Sequence, residues 1–196
     1  MFKRWLLIFS SIIIVMFFLV GCKSDNDGKF DILVKNGKIV DGTGNPWFYG
    51  DIGIIGDTIA EIGDLSGKTA AKTIDAKGLV VSPGFIDPHT HCDGGLGRPA
   101  SNANLNYLIQ GCTTVVTGNC GDGTFKIAEI KEKWEKQGIG TNAVHLVGYG
   151  TVRRAVMGDE PRVPTTEEMD KMKEIVRQAM REGAWGMSTG LEYIPG

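Results

Sequence analysis

Residues 30–80 of this chain alternate short apolar runs with turn residues. Phe30–Val34 leads into Asn36-Gly37, and Asp51–Ile55 leads into Gly56-Asp57, so each dipeptide predicts a β-hairpin. Thr73–Gly78 adds one more strand that is bounded by a turn. About fifty residues of this kind predict a small β-sandwich-like domain, a layer too thin to bury both of its faces alone.

From residue 79 the pattern changes to β-rich runs that alternate with helical periodicity. The β-rich runs are Leu79–Val81, Gly84–Ile86, Thr113–Thr117, Ala143–Val147 and Trp185–Ser188. One helix is predicted from Ile127 to a stop at Gly138, and a capping-box spacing at Thr165 and Glu168 predicts a second. Alternation every ~30–40 residues is typical of a TIM-type (β/α)₈ barrel. The sequence therefore predicts an α/β fold, in which residues 81–196 form about four βα units of a partial barrel.

The first 22 residues have the pattern of an export signal. Lys3 and Arg4 precede an apolar run from Trp5 to Val20, which ends in Leu-Val-Gly-Cys at Cys22. This ending resembles a bacterial lipobox, which implies acylation of Cys22, a tether over residues 23–29 and a lipid-anchored protein of the bacterial cell envelope. A plain transmembrane anchor is the alternative, because the apolar run approaches the ~17–20 residues that span a bilayer.

Charge and cysteine content narrow the possible functions. The formal net charge is −2 and no basic stripe is present, so nucleic acid is not a predicted partner. After Cys22 three cysteines remain, at positions 92, 112 and 120, and an odd number leaves at least one thiol free or bound to a ligand. Cys112 precedes a β-branched run and is predicted to be a small core residue.

Two of the three histidines, His89 and His91, follow the β-rich run that ends at Ile86. Residues i and i+2 of an extended chain point the same way, so both imidazoles face one side. Catalysis in a barrel takes place at the carboxyl ends of its strands, and paired imidazoles suit a zinc-type ion. Cys120 lies at the corresponding position one unit later and can supply a thiolate. We favour a metal site. The alternatives are that His89 and His91 are ordinary surface histidines and that Cys120 is an inert buried cysteine.

Three further polar residues lie in or after predicted strands. His145 is surrounded by apolar residues of a strand and is predicted to be structural. Glu192 is interpreted as a solvated loop acid, with metal ligation as the alternative. Tyr193 is placed to donate its phenolic hydrogen into the mouth of the barrel.

Taken together, these segments resemble the amidohydrolase superfamily, and within it the N-acyl-D-amino-acid deacylase (D-aminoacylase) branch. The matching segments are Asn36–Gly44, Asp51–Asp57, Ser82–His91, Gly118–Gly121 and Ser188–Tyr193. The His-x-His motif is shared by the whole superfamily, whereas Gly-Asn-Cys-Gly is particular to this branch. The resemblance implies zinc, as one or two ions, with His89 and His91 at one metal position and Cys120 bridging to the other.

The same resemblance implies hydrolysis of the amide bond of small N-acyl-D-amino acids, whose scissile carbonyl Tyr193 would hold or polarise. Two more histidine ligands and an aspartate base are expected on later strands, so residues 23–196 alone are expected to be an inactive fragment. One alternative is a cyclic-amide hydrolase of the dihydroorotase or hydantoinase type, which would need a carboxylated lysine, but residues 184–194 contain none. The other alternative is a non-catalytic binding lipoprotein.

Overall fold

The structure, a computed structural model, describes residues 29–193. The predicted signal sequence, Cys22 and the predicted tether up to residue 28 lie outside this range. Across the described residues, no helix combines the length and the apolar character that a membrane crossing requires. The chain divides into two units, with the division between Pro83 and Gly84.

The first unit is one five-stranded sheet. Its strands are β1 (Lys29–Ile39), β2 (Phe48–Ile55), β3 (Thr58–Gly63), β4 (Thr69–Asp75) and β5 (Val80–Val81). Their order is β3-β2-β1-β4, with β1 antiparallel to β2 and parallel to both β4 and β5. Phe30, Leu33 and Leu65 form the buried core. The predicted hairpin at Gly56-Asp57 is confirmed, because β2 and β3 pair across it and Gly56 has a φ of 60°.

The prediction of a hairpin at Asn36-Gly37 is wrong. β1 continues through both residues, and its pairing with β2 shifts register there, between Val34 and Gly37. Asn36 adopts a φ of 60°, and its backbone N–H donates to the carboxylate of Asp51 at 2.8 Å. The left-handed preference of this dipeptide therefore produces a bulge within a strand and does not reverse the chain.

Leu79–Val81, predicted to belong to the β-rich run that opens the barrel, pairs in the first sheet instead. The backbone N–H of Lys38 donates to Leu79 at 3.0 Å, and that of Val40 donates to Val81 at 2.9 Å. A short apolar run has no periodicity that indicates which sheet it joins. The hydrogen bonds to β1 decide the assignment, and the first strand of the second unit begins at Phe85.

The second unit is a parallel sheet with helices between its strands. The strands, adjacent in chain order, are β6 (Phe85–Asp87), β7 (Cys112–Thr117), β8 (Asn142–Gly148) and β9 (Gly186–Ser188). The helices are α1 (Asp93–Leu96), α2 (Leu105–Leu108), α3 (Ile127–Gln137), α4 (Tyr149–Met157) and α5 (Thr166–Arg181). The sheet is curled like half of a TIM-type barrel, so the predicted fold class is confirmed.

Both predicted helices are present. α3 ends at Gln137, directly before the predicted stop at Gly138, whose φ of 72° favours glycine. α5 begins at the predicted capping box, in which Thr165 and Glu168 each accept the other's backbone N–H. A side-chain hydrogen bond from Arg162 is the main reason that the pKa of Glu168 is lowered to about 2. α4 was not predicted, because it begins directly after β8 without a capping side chain.

Apolar side chains join the second sheet to its helices. One cluster consists of Ile127, Val147, Val152, Met157, Met172, Ala179 and Ala184, and another of Leu96, Val115 and Trp134. Large apolar side chains stay exposed on the two outer strands, including Phe85 and Ile86 on β6 and Met187 on β9. The core therefore lies against the helices, while the edges of the sheet are uncovered among the described residues.

His145 is buried on β8 and packs against α3. Its ring meets the indole of Trp134 edge-on, with the ring centroids 6.0 Å apart. Neither of its ring nitrogens has a partner in hydrogen-bonding geometry among the described residues. Burial lowers the pKa of His145, and Asp93 and the backbone at Thr124 oppose this shift only in part. These contacts agree with the predicted structural role.

We expect His145 to make the fold sensitive to acid. Because its pKa in the folded state is below the ordinary value of 6.5, the unfolded chain binds a proton more readily. The free energy of unfolding should therefore be highest above pH 6.5 and decrease as the pH falls from 6.5 toward the lower folded-state pKa. Denaturant unfolding of the metal-free protein on both sides of this pH measures the effect. His145→Gln should flatten the dependence, and an equally steep slope in the variant would contradict the assignment.

Candidate metal centre

His89 and His91 follow β6 on a segment that continues the alternation of the strand. Thr90, between them, is buried, and its backbone N–H and its hydroxyl both donate to the carbonyl oxygen of Val116, at 2.9 and 2.8 Å. The N–H of His89 donates to the carboxylate of Asp87 at 3.1 Å. Because Thr90 points into the protein, the two imidazoles lie on the opposite, exposed side.

Cys120 follows β7 in a four-residue loop, Gly118–Gly121, that we call the cysteine loop. Its sulfur lies 3.4 Å from Nε2 of His89 and 3.6 Å from Nε2 of His91. The three ligand atoms all lie within 4.8 Å of one another. None of the cysteines in the described part of the chain forms a disulfide, so the thiol of Cys120 is not consumed by Cys92 or Cys112. The structure thus brings all three predicted ligands together.

The donor set fits a zinc-type ion, and so do its two sulfur–nitrogen distances. Tetrahedral zinc binds imidazole nitrogen at ~2.0–2.1 Å and thiolate sulfur at ~2.3 Å. Those bond lengths place sulfur and nitrogen ligands about 3.5 Å apart. The distances from Cys120 to the two imidazoles, 3.4 and 3.6 Å, are close to that value. The sulfur of Cys120 therefore already lies at the distance from each imidazole that two ligands of one ion would have.

A cavity of about 620 Å³ opens beside these ligands. Its lining residues are His91, Cys120, Gly121, Asp122, Tyr149, Gly150, Arg154, Gly190, Glu192 and Tyr193. Tyr193 therefore lies at the cavity with two of the predicted metal ligands, and Glu192 is an exposed acid on the same wall. His145 packs against α3 and is not among these residues.

Arg154, which sequence reasoning missed, brings a positive charge to this cavity. It extends from α4, with Nε 3.2 Å from Asp159 and Nη1 3.9 Å from Asp122. All three side chains are substantially exposed, so these ion pairs are weak and can exchange partners. Its neighbour Arg153 is buried and donates to the carbonyl oxygens of Glu160 and Arg162. An arginine pair in sequence was the only local signal, and it did not indicate which member reaches the cavity.

Comparisons with known proteins show which sequences this chain is similar to. Residues 72–193 match the model of a family described as Amidohydrolase family. The chain is 39% identical to the D-aminoacylase of Alcaligenes xylosoxydans xylosoxydans, over 85% of this chain and 39% of that protein. It is 35% identical to the N-acyl-D-aspartate deacylase of the same organism, over 87% of this chain and 39% of that protein.

One of the solved structures similar to this chain contains zinc. It is the N-acyl-D-glutamate deacylase from Bordetella bronchiseptica, complexed with zinc and a phosphonate inhibitor that mimics the tetrahedral intermediate. It matches with a TM-score of 0.80 and 33% identity, over 86% of this chain and 40% of that one. The chain spans about two fifths of the length of these relatives.

Proposed function

Because this chain belongs to the amidohydrolase family, we propose that it carries the metal centre of an enzyme that hydrolyses the amide bond of N-acyl-D-amino acids. The approach of the Cys120 sulfur to both imidazoles carries the proposal, since it forms a metal-binding donor set at adjacent strand ends. Similarity to a D-aminoacylase and an N-acyl-D-aspartate deacylase supports the substrate class.

His89, His91 and Cys120 would hold zinc, either as one ion or with Cys120 bridging to a second. Bound zinc supplies Lewis acidity, which lowers the pKa of water toward neutrality and polarises a carbonyl group. Tyr193, on the wall of the same cavity, would donate its phenolic hydrogen to the substrate carbonyl oxygen and orient the acyl group. The net reaction adds water across the amide C–N bond and releases a carboxylate and a D-amino acid.

The full-length protein is expected to release D-amino acids from N-acetyl-D-amino acids, with the L-enantiomers hydrolysed far more slowly. A chelator should abolish the release, and added zinc should restore it, because the three ligands would hold the ion that the reaction needs. Quantifying the free amine tests both points. Zinc binding without release of an amine would favour the non-catalytic binding lipoprotein. Hydrolysis of cyclic amides, with no hydrolysis of N-acyl-D-amino acids, would favour the cyclic-amide hydrolase.

A pair of cysteine variants provides the matched control. Cys120→Ala removes a direct ligand, so the loss of zinc affinity should exceed the roughly 10–100-fold typical of losing a residue that only supports a ligand. Cys112→Ala changes the same residue type at the first position of β7 and should keep both zinc and activity. Equal losses in the two variants would place the metal elsewhere.

We also propose that Arg154 binds the α-carboxylate of the substrate. The guanidinium lies on the wall of the cavity that contains His91 and Cys120. Its ion pair with Asp122, at 3.9 Å, is longer than its pair with Asp159, at 3.2 Å, and Asp122 is largely exposed. A substrate carboxylate can replace Asp122 and form a bidentate pair with the guanidinium.

Arg154→Gln should therefore raise KM for N-acyl-D-amino acids by about 10–100-fold, since a hydrogen bond to a charged group is worth about 1.5–3 kcal/mol. N-acyl-D-amino acid amides, which lack the carboxylate, should show little change. Arg177→Gln serves as the control, because Arg177 is an exposed arginine on α5 that pairs with Glu174. Steady-state kinetics with both substrates measures this, and an unchanged KM in Arg154→Gln would exclude the contact.

Anchoring at Cys22 is a proposal that rests on the sequence of residues 1–22. We propose export, acylation of Cys22 and residence in the bacterial cell envelope, where two acyl chains would give stable attachment to the membrane. Mass spectrometry of the mature protein should find Cys22 as the first residue, with the mass of the lipid added. An unmodified Cys22 or a retained leader would rule this out.

A further inference from the structure

The cysteine loop holds Cys120 in an unfavourable backbone conformation. Cys120 has a φ of 57°, in the left-handed region that residues with a Cβ rarely adopt. Such a conformation persists only where surrounding contacts impose it, and it is common at functional sites. In this loop it directs the sulfur toward His89 and His91, so the contacts that impose it bear directly on the metal centre.

Ser188 holds the loop on both sides of Cys120. It is buried at the end of β9, and its hydroxyl donates to the carbonyl oxygen of Gly118 at 2.5 Å. The hydroxyl oxygen of Ser188 in turn accepts the backbone N–H of Gly121 at 3.0 Å. One side chain therefore bonds the first and the last residue of the cysteine loop and fixes the distance between them.

Asn119 ties the same loop to the histidine segment. Its side chain is buried, and Nδ2 donates to the carbonyl oxygens of Thr90 at 3.2 Å and Val116 at 3.0 Å. Thr90 is the residue between the two histidines, so the amide links the backbones that carry the three candidate ligands. Neither Ser188 nor Asn119 is among the candidate ligands or the cavity lining.

We propose that Ser188 and Asn119 are positioning residues for the metal centre. Ser188 keeps Cys120 in its left-handed conformation, and Asn119 keeps the cysteine loop in register with His89 and His91. Ligands that are held in place before the metal arrives bind it more tightly, and losing a supporting partner typically costs about 10–100-fold in affinity. This inference rests on the proposed metal site.

The test uses the full-length protein titrated with cobalt(II), whose charge-transfer absorption reports a bond to thiolate. Ser188→Ala and Asn119→Ala should each weaken cobalt binding by about 10–100-fold and reduce the charge-transfer intensity of the bound ion. Thr189→Ala, which removes the neighbouring exposed hydroxyl, should change neither quantity.

Two variants of similar shape at position 188 distinguish the effect of the hydroxyl's hydrogen bonds from the effect of side-chain packing. Ser188→Thr keeps the hydroxyl and should restore affinity and absorption relative to Ser188→Val, which has the same shape without it. Equal cobalt affinity and absorption in Ser188→Thr and Ser188→Val would overturn the proposal. A folded Ser188→Ala protein with unchanged cobalt binding would also overturn it. A Ser188→Ala protein that stays unfolded at saturating cobalt would also overturn it, because it would assign Ser188 to the fold alone.

The proposed metal site can fail separately from this inference. Wild-type protein without a thiolate charge-transfer band, or a band that survives in Cys120→Ala, would refute the site itself. A normal wild-type band that is lost in Cys120→Ala but unaffected by the changes at Ser188 and Asn119 would refute only the positioning role.

Discussion

Asp87 pairs with Val115 in the parallel ladder between β6 and β7, and the geometry of the site depends on that register. The ladder places the carboxyl ends of the two strands side by side, so the histidine segment that leaves β6 meets the cysteine loop that leaves β7. Side chains alternate along an extended chain, so a slip of one residue would turn the imidazoles inward and Thr90 outward. The two hydrogen bonds from Thr90 to Val116 oppose such a slip.

The high glycine content, 28 residues, has a local explanation around the cysteine loop. A Cβ on Gly148 would lie 2.4 Å from the carbonyl oxygen of Gly121, and a Cβ on Gly190 would lie 2.4 Å from that of Cys120. The end of β8 and the chain that follows β9 therefore contact the backbone of the loop only because these positions lack a side chain. This close approach also lets the N–H of Thr151 in α4 donate to Gly121 at 3.2 Å.

In the second unit, the residues that form the core and the residues that line the candidate site lie in different places. Its apolar clusters and the buried His145 lie against the helices, whereas the candidate ligands and Arg154 lie after the strand ends or on α4 beside the cavity. Substitutions in the cavity can therefore alter chemistry with little effect on the core. A metal that binds only the folded protein would in turn stabilise it by mass action, which couples the site to the fold.

The fold class, most elements of the second unit and the three candidate ligands could be predicted from the sequence alone, because each rests on a short-range signal such as periodicity, a capping box or His-x-His spacing. Four features became visible only in the folded chain: the bulge at Asn36-Gly37, the pairing of Val80–Val81 with β1, the position of Arg154 at the cavity and the hydrogen bonds of Ser188 to the cysteine loop. Each of these outcomes depends on groups distant in the chain. Ser188, for example, bonds a carbonyl 70 residues earlier. A local pattern has no information about such a partner, because the contact exists only after parallel strands bring the two segments together.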